Sequence, residues 1–252
     1  MAFSSGFNIA YLNVPTAQFP WSSMTVLIDF VVQTSSRRDG TLDTAVQGLT
    51  PQQMQADVIA AHQRGKKALI SIGGIADQNW DAACNAANRA KFAANIVTLV
   101  RTYGYDGVDL DIEQDFGYPN YPDLTPCVSG IRTALKAYSA SQMLTNDTDA
   151  TWMAYMTSHI APFVDYLQFM TYWQPVSQMP SLVANYTRLG IPASKLVIGL
   201  GTDPADATMT DHTAAACGAK AQFAVNGGEA GVMNWYVTKS TPCTDAIAAY
   251  VP

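Results

Sequence analysis

The chain has few charged residues and no apolar run long enough to cross a membrane. Only 13% of its 252 residues are Asp, Glu, Lys or Arg, whereas 48% are hydrophobic. A transmembrane helix needs about 20 consecutive apolar residues, so we expect no membrane span. The net charge of −6 and the pI of about 4.8 argue against nucleic acid or an anionic membrane as a partner, because both carry negative charge themselves.

Cysteine is scarce as well, and its spacing argues against common metal and redox motifs. No two of the four cysteines form a CxxC pair, as a zinc knuckle or thioredoxin-like site would require. We predict no metal and no cofactor. Of the three possible pairings, we favour the local one, Cys84 with Cys127 and Cys217 with Cys243. The even count and the acidic composition predict a secreted protein, because disulfides persist in oxidising compartments.

Strand-like apolar runs alternate with helix-like segments along the whole chain, without a linker. Continuous apolar runs are typical of parallel strands covered on both faces. Thr50, Pro51 and Gln53 predict a helix start with a capping box. The predicted strands are 7–14, 24–33, 66–74, 105–113, 142–147, 164–173, 195–202 and 231–237, and the predicted helices are 51–64, 88–103, 126–140, 177–189, 211–225 and 242–250.

Eight strands alternating with helices in a chain of this length predict one domain, residues 1–252, with the α/β fold of a (β/α)8 TIM barrel. An open, doubly wound sheet is the alternative. It usually carries a Gly-rich phosphate loop after the first strand, and the sequence has none there. Active sites of TIM barrels lie at the carboxyl ends of the strands, so functional side chains are expected there.

Residues 106–113, DGVDLDIE, place several carboxyl groups in one short apolar segment. Side chains alternate between the faces of a strand, so Asp109, Asp111 and Glu113 share one face. Carboxylates this close in a semi-enclosed site cannot all ionise, and some pKa values must rise. A carboxyl group protonated near neutral pH is what a general acid needs. The alternatives are a solvated edge strand and a hard-cation site, but acid catalysis on a glycosidic bond accounts for the pattern best.

With this octapeptide the chain resembles family 18 glycoside hydrolases, the chitinase family. The octapeptide has every acidic position of that family's DxxDxDxE signature, namely Asp106, Asp109, Asp111 and Glu113. The segment SIGG at 71–74 is similar to the family's SxGG motif on the third strand, and MTY at 170–172 is similar to its MxY motif on the sixth. Trp235 falls where the family keeps a sugar-stacking tryptophan, and Tyr11 matches an aromatic residue of the same pocket.

The resemblance implies hydrolysis with retention, assisted by the substrate's own N-acetyl group. Glu113 is the expected general acid and later base. Asp111 is expected to orient the acetamido group and to stabilise an oxazolinium ion, with Asp109 sharing a proton behind it and Tyr172 hydrogen-bonding the acetamido oxygen. The residues expected to support substrate binding are Tyr11, Gly73, Gly74, Met170, Trp235 and Asp106. For the two glycines, a tight turn at the strand end is the alternative role.

Two features set this chain apart from many members of that family. Trp173 follows the MxY tyrosine, where the family often has Asp or Asn, and this puts the pH optimum in doubt. Residues 203–230, between the last two predicted strands, are too few for the α+β domain that many relatives insert there. A shallow, open cleft and endo action on chitin or chitooligosaccharide are therefore expected.

Several aromatic residues lie on or near the expected loops at the strand ends. They could extend the groove by stacking on sugars or could cap the barrel, and they are Trp80, Phe116, Tyr118, Tyr121, Trp152 and Trp173.

The expected function is that of a monomeric, secreted endochitinase that cleaves β-1,4-linked N-acetylglucosamine. An endo-β-N-acetylglucosaminidase acting on N-glycan cores shares the motif and the chemistry, so the motif cannot separate the two. A chitin-binding lectin on the same barrel is the alternative from another class of protein. Such relatives typically lack the acid, whereas Glu113 is present.

Overall fold

Eight parallel strands close into a barrel, which confirms the TIM-barrel prediction. The computed structural model describes residues 7–12, 19–45, 48–114, 121–203, 205–237 and 241–250. The first strand pairs in parallel with both the second and the last, and this pairing closes the barrel. The barrel strands are β1 (Phe7–Leu12), β2 (Val26–Thr34), β4 (Lys67–Gly73), β5 (Gly107–Asp111), β6 (Met143–Asp149), β7 (Tyr166–Met170), β8 (Leu196–Gly201) and β9 (Gly231–Val237). The short strand β3 (Leu42–Asp43) pairs antiparallel with the end of β2.

Helices connect successive strands, and each buries one apolar face. They are α1 (Pro51–His62), α2 (Trp80–Cys84), α3 (Arg89–Tyr103), α4 (Leu124–Tyr138), α5 (Ala154–Ile160), α6 (Met179–Thr187), α7 (Ala214–Gly227) and α8 (Pro242–Ala248). The six predicted helices are present. The two short helices α2 and α5 and the strand β3 were not predicted, because segments of this length carry too little periodicity to be recognised. Among the described residues, no helix is long and apolar enough to cross a bilayer.

The start of α1 differs from the predicted capping box in one respect. Thr50 caps the helix by accepting a hydrogen bond from the backbone N–H of Gln53 at 3.1 Å, and Pro51 occupies the first turn, as predicted. The side chain of Gln53 does not reach back to Thr50. It donates to the buried carboxyl of Asp57 at 2.8 Å instead, because a buried acceptor one turn ahead competes for the same amide.

Two disulfide bonds tie outer helices together, with the local pairing that was favoured. Cys84 in α2 is bonded to Cys127 in α4, and Cys217 in α7 is bonded to Cys243 in α8. The first bond anchors the connection that follows β4, and the second holds the last helix against its neighbour. The prediction of the pairing is confirmed.

The core consists of apolar residues inside the barrel and between the strands and the helices. Every described residue of β5 and β8 is buried, as expected for parallel strands covered on both faces. Between β8 and β9 the described residues form a loop and the helix α7, so no α+β domain stands there. The carboxyl ends of all eight barrel strands meet at one end of the barrel, where the candidate site is built.

Candidate active site

The carboxyl groups of the octapeptide lie along and just beyond β5. Asp109 and Asp111 belong to the strand and are buried, and Glu113 follows two residues after its end in a partly buried position. Val108 and Leu110, on the opposite face, are fully buried. The alternation predicted from the sequence therefore directs one set of side chains into the barrel and the other toward the helices.

Asp109 is surrounded by hydrogen-bond donors from three other strands. The hydroxyl of Tyr11 lies 2.9 Å from its Oδ2, and the hydroxyl of Ser71 lies 3.3 Å from the same oxygen. The hydroxyl of Thr145 donates to Oδ1. Burial raises the pKa of Asp109, while hydrogen bonds from Asp147, Thr145, Tyr11 and Ser71 oppose that rise because they stabilise the carboxylate.

Asp147, on β6, is a buried member of this cluster that was not predicted. Its two oxygens lie 2.7 and 2.9 Å from the Tyr11 hydroxyl, which also contacts Asp109 at 2.9 Å. Burial raises its pKa well above the usual range, and the nearby Asp109 and Asp111 carboxyls raise it further. A sequence signal was available, because Thr145, Asp147 and Asp149 alternate along β6 as the acidic residues do along β5.

Asp111 is buried beside both of its carboxyl neighbours in the octapeptide. Burial raises its pKa well above the usual range, and the charges of Glu113 and Asp109 add to that rise. Its Oδ1 has no hydrogen-bond partner among the described residues. A buried carboxyl oxygen without a partner is uncommon in proteins, and here it is free to accept a hydrogen bond from a bound substrate.

The glycines of the SIGG segment make room for Asp111. A Cβ on Gly73 would lie 1.9 Å from the backbone oxygen of Asp111, and the φ of Gly73 is +128°. The backbone N–H of Gly74 donates to the same oxygen at 3.0 Å. At Gly73 the close approach is therefore that of the neighbouring strand, and a role for either glycine in direct contact with substrate stays a prediction.

Glu113 has the environment of a general acid. Burial raises the pKa of its carboxyl, and the charge of Asp149 raises it further, whereas a hydrogen bond from the backbone of Ile75 partly opposes the rise. Glu113 is the least buried of the four clustered carboxyls. It can therefore keep its proton to a higher pH than a free glutamate and deliver that proton to a bound molecule.

Four aromatic rings form a wall beside the carboxyl cluster, which we call the aromatic wall: Tyr11, Phe30, Tyr172 and Trp235. Tyr172 and Trp235 are nearly parallel, at 25° and with centroids 6.3 Å apart, and Trp235 contacts Phe30 edge to face at 4.7 Å. Trp235 is partly exposed, whereas Tyr11 and Tyr172 are buried. A partly exposed ring at a strand end can stack on the apolar face of a sugar.

A buried ion pair supports the segment that carries Tyr172. The ammonium group of Lys220 lies 2.6 Å from Asp211 and donates to the backbone oxygen of Thr171 at 2.6 Å. The backbone oxygen of Tyr172 accepts from Thr210 at 3.0 Å. Met170, which precedes this segment at the end of β7, is buried. Its expected contact with substrate stays a prediction.

Asp106 lies outside the site, and its assignment to substrate binding is corrected. It precedes β5 at the amino end of the barrel, where Lys67 and His62 each approach its carboxyl to 2.9 Å. The reason is geometric, because a residue three positions before Asp109 faces the other side of the strand. Asp106 joins the start of β5 to the start of β4, and its backbone N–H donates to Ala68 at 2.8 Å.

The aromatic residues proposed for the groove fall into different positions. Trp152 and Trp173 follow β6 and β7 and are 50% and 45% exposed, whereas Trp80 is fully buried against Phe92. Tyr121 is partly buried and donates to the backbone oxygen of Asp81 at 2.6 Å. Phe116 and Tyr118 lie outside the described residues. No group of three or more His, Cys, Asp or Glu side chains in the described part of the chain is arranged to hold a metal ion.

Comparison with known proteins assigns this barrel to a family. The family model described as "Glycosyl hydrolases family 18" matches residues 7–248. The chain is 27% identical over 116 residues to Chitinase D of Niallia circulans, covering 42% of this chain and 22% of that protein. It is 28% identical over 171 residues to Endochitinase 1 of Metarhizium robertsii, covering 54% of this chain and 40% of that protein. The matches thus span less than half the length of these curated relatives.

A similarity at the level of structure agrees with this assignment. The GH18 chitinase of Cycas revoluta, solved in complex with (GlcNAc)3, superimposes with a TM-score of 0.77 at 16% identity, covering 97% of this chain and 99% of that one. At this identity the similarity supports the fold alone. The family match over nearly the whole chain is the stronger finding, and it shows that this protein belongs to glycosyl hydrolases family 18.

Proposed function

We propose that this protein is an endochitinase that hydrolyses β-1,4 linkages of N-acetylglucosamine polymers with retention of configuration. One observation carries the proposal: Glu113, a partly buried carboxyl with a raised pKa, stands beside the buried Asp111 at the carboxyl end of the barrel. A proton donor next to a carboxyl that can face positive charge suits cleavage of a glycosidic bond. The curated relatives with the names Chitinase D and Endochitinase 1 support this substrate class.

The substrate supplies the nucleophile in this proposal, as family 18 enzymes are exceptions to the usual pair of catalytic carboxylates. Glu113 protonates the glycosidic oxygen while the acetamido oxygen attacks the anomeric carbon, and the bond to the leaving sugar breaks. The free Oδ1 of Asp111 accepts a hydrogen bond from the acetamido N–H and stabilises the positive charge of the oxazolinium ion. Because the nucleophile is already positioned, a bimolecular step is avoided.

The second step restores Glu113. Its carboxylate removes a proton from water, the water oxygen attacks the anomeric carbon, and the acetamido oxygen leaves. Two inversions at the same carbon give net retention. Tyr172 is suited to hydrogen-bond the acetamido oxygen, because in the described part of the chain the partner of its hydroxyl is the thioether of Met233 at 3.5 Å, and a thioether is a weak acceptor.

The short connection between β8 and β9 supports endo action. A loop and α7 fill that position among the described residues, so the cleft beside Trp235 has no domain wall on this side. The exposed Trp152 and Trp173 stand at the ends of neighbouring strands and are suited to stack on sugars further along the polymer. An open groove of this kind admits the middle of a chain.

We also propose that the chain works as one monomeric catalytic domain outside the cytoplasm. The two disulfide bonds are of the kind that persists in an oxidising compartment. Both join helices on the outside of the barrel, away from the carboxyl cluster. They would therefore stabilise the domain without taking part in the chemistry.

The test is incubation of the protein with N-acetylglucosamine hexamer, followed by mass spectrometry and by chromatography that separates the anomers of the products. Dimers, trimers and tetramers with the β-anomer in initial excess are expected for a retaining endochitinase. Release of single sugars from one end, or an initial α-anomer, would contradict endo action or retention, respectively.

An uncleaved hexamer would contradict the chitinase proposal itself. A high-mannose glycoprotein is then the next substrate, because an endo-β-N-acetylglucosaminidase uses the same residues. Binding of the hexamer without cleavage of either substrate would favour the lectin alternative. Glu113 argues against that outcome, because a binding protein does not need an acid with a raised pKa.

A further inference from the structure

Asp147 is a buried carboxyl in the barrel interior to which the proposed mechanism assigns no step. Its side chain on β6 is almost fully buried and contacts both Tyr11 and Asp109. Burying an ionisable group is unfavourable unless it is neutral or well paired. Among the described residues, the ion pairs do not involve Asp109, Asp111, Asp147 or Glu113.

The geometry requires a proton on one of the two carboxyls. The Tyr11 hydroxyl lies within 2.9 Å of both Asp109 and Asp147, but it has a single proton to donate. When Tyr11 donates its proton to one carboxyl, an oxygen of the other carboxyl still lies within hydrogen-bond distance of the Tyr11 oxygen, and that contact is favourable only if the second carboxyl carries a proton of its own. At least one proton is therefore shared between Asp109 and Asp147.

The surroundings decide which carboxyl keeps the charge. Asp109 accepts from Ser71 and Thr145 in addition to Tyr11, whereas among the described residues the hydroxyl donor to Asp147 is Tyr11. Hydrogen bonds from hydroxyl donors favour a carboxylate. The negative charge accordingly belongs on Asp109, and the proton belongs on Asp147.

We propose that Asp147 is a positioning residue that shares one proton with Asp109, so that the barrel interior holds a single negative charge for the reaction. The inference rests on the function proposed above. As positive charge develops on the substrate, a proton passes from Asp111 to Asp109, and the negative charge passes to Asp111. Asp147 keeps its own proton throughout, so the number of charges in the interior does not change.

The titratable groups that face Asp147 define the expected pH dependence. They are Asp109 and Asp111 from β5, Tyr11 from β1 and Tyr172 after β7, and Glu113 acts on Asp111. A pair of carboxyls that shares one proton keeps its remaining charge to low pH, because adding a second proton breaks the shared hydrogen bond. Replacing one carboxyl by a neutral amide weakens the donor to Asp109, so the charge is lost at a higher pH.

The test is the pH profile of kcat/KM on the hexamer for Asp147→Asn. The amide keeps the size and can still donate to Asp109 and accept from Tyr11, but it cannot titrate. We expect the acid limb of the profile to shift to higher pH by about one unit. At pH values on the acid side of the limb, kcat/KM should then be about tenfold lower than in the wild type. The decrease should appear in kcat rather than KM, and activity above the limb should be close to that of the wild type.

Thr148→Val is the matched control, because Thr148 lies on the same strand and contacts Thr157 and Tyr186 instead of the carboxyl cluster. Its acid limb should stay in place even if its activity falls. A profile of Asp147→Asn that is only scaled down, with the limb unmoved, would reduce Asp147 to a packing residue and overturn the proposal. A limb that moves equally in Thr148→Val would do the same.

An infrared titration separates this proposal from the proposed function, because it needs no substrate. The wild type should keep a protonated-carboxyl C=O band at neutral pH, and Asp147→Asn should lose part of it. A wild type without that band would overturn the proposal even if it were an active chitinase. If the band depends on Asp147 but the protein does not cleave the hexamer, the shared proton is supported and only the chitinase assignment is rejected. If Asp147→Asn does not fold, Asp147→Ser replaces it in both measurements, because a serine hydroxyl can donate and accept hydrogen bonds but does not titrate in this pH range.

Discussion

Four carboxyl groups lie close together at the carboxyl end of the barrel, and their different surroundings give them different roles. Glu113 is only partly buried and can reach a bound sugar. Asp111 is buried and has an oxygen without a partner, and Asp109 is surrounded by hydroxyl donors. Identical functional groups are thus suited to the proposed roles of acid, stabiliser and anion, because burial and hydrogen bonding set each pKa separately.

Glu113→Gln is the substitution that isolates the acid. The amide keeps the shape of the side chain but cannot protonate the glycosidic oxygen, so we expect kcat on the hexamer to fall by about 10²–10⁴-fold. Oligosaccharide binding, measured by calorimetry, should persist, because the aromatic wall is unchanged. Glu229→Gln is the matched control, since Glu229 is the only other glutamate and precedes β9 at the opposite end of the barrel. Turnover by Glu113→Gln at a wild-type rate would reject the assignment.

The strands β4 and β5 are in close contact at the end of the SIGG segment, and this contact helps to position Asp111. Gly73 pairs with Asp111 across the two strands, at a positive φ and without space for a Cβ. A residue other than glycine would have to push the two strands apart at the point where the carboxyl cluster begins. The contact therefore connects the geometry of an element to that of the site.

Gly73→Ala should lower the free energy of unfolding by about 3 kcal/mol or more, because it combines a backbone clash with an unfavourable φ. Gly130→Ala provides the comparison, since Gly130 lies within α4 with nothing within 4 Å of an added Cβ. That change should stabilise the protein by about 0.5–1 kcal/mol. Denaturant unfolding measures both. Equal stability of the two variants would contradict the steric role of Gly73.

Local patterns located most elements, whereas the partners of the site residues depended on contacts across the barrel. Continuous apolar runs identified the eight barrel strands, and helical spacing identified six helices, but α2 and α5 were too short to recognise. The carboxyl row on β5 followed from alternation alone. Tyr11 contacts Asp109 and Asp147, which lie 98 and 136 positions away in the sequence, and no local pattern encodes such contacts.

Closure of the barrel organises the whole molecule, because the first strand completes the sheet by pairing with the last. The register sets Ile9 opposite Met233 on β9 and opposite Val26 on β2. The disulfide bonds lie outside this ring and tie α2 to α4 and α7 to α8. They close loops of 43 and 26 residues, which limits the freedom of the unfolded chain more strongly for the longer loop.

Removing each disulfide by paired Cys→Ser changes should separate stability from activity. Replacing either cysteine pair should lower the free energy of unfolding by about 2–5 kcal/mol, and the loss should be larger for Cys84 and Cys127. That pair should also lower activity, because α2 is joined to Gln114, beside Glu113, by a hydrogen bond from Trp80 of 3.1 Å. The pair Cys217 and Cys243 should leave kcat on the hexamer unchanged. A loss of kcat in the second pair alone would contradict this division.

The sequence by itself determined the order of strands and helices and the face of β5 that carries the carboxyl row, because these depend on periodicity. It favoured the local disulfide pairs, and the structure decided them. Only the tertiary structure decided which residues surround that row. It placed Asp106 at the amino end of the barrel, assigned Gly73 to the contact with β5, and brought Asp147 against Asp109. Burial and the proton shared inside the barrel exist only once eight separate strands have closed around them, so no single segment of the sequence contains them.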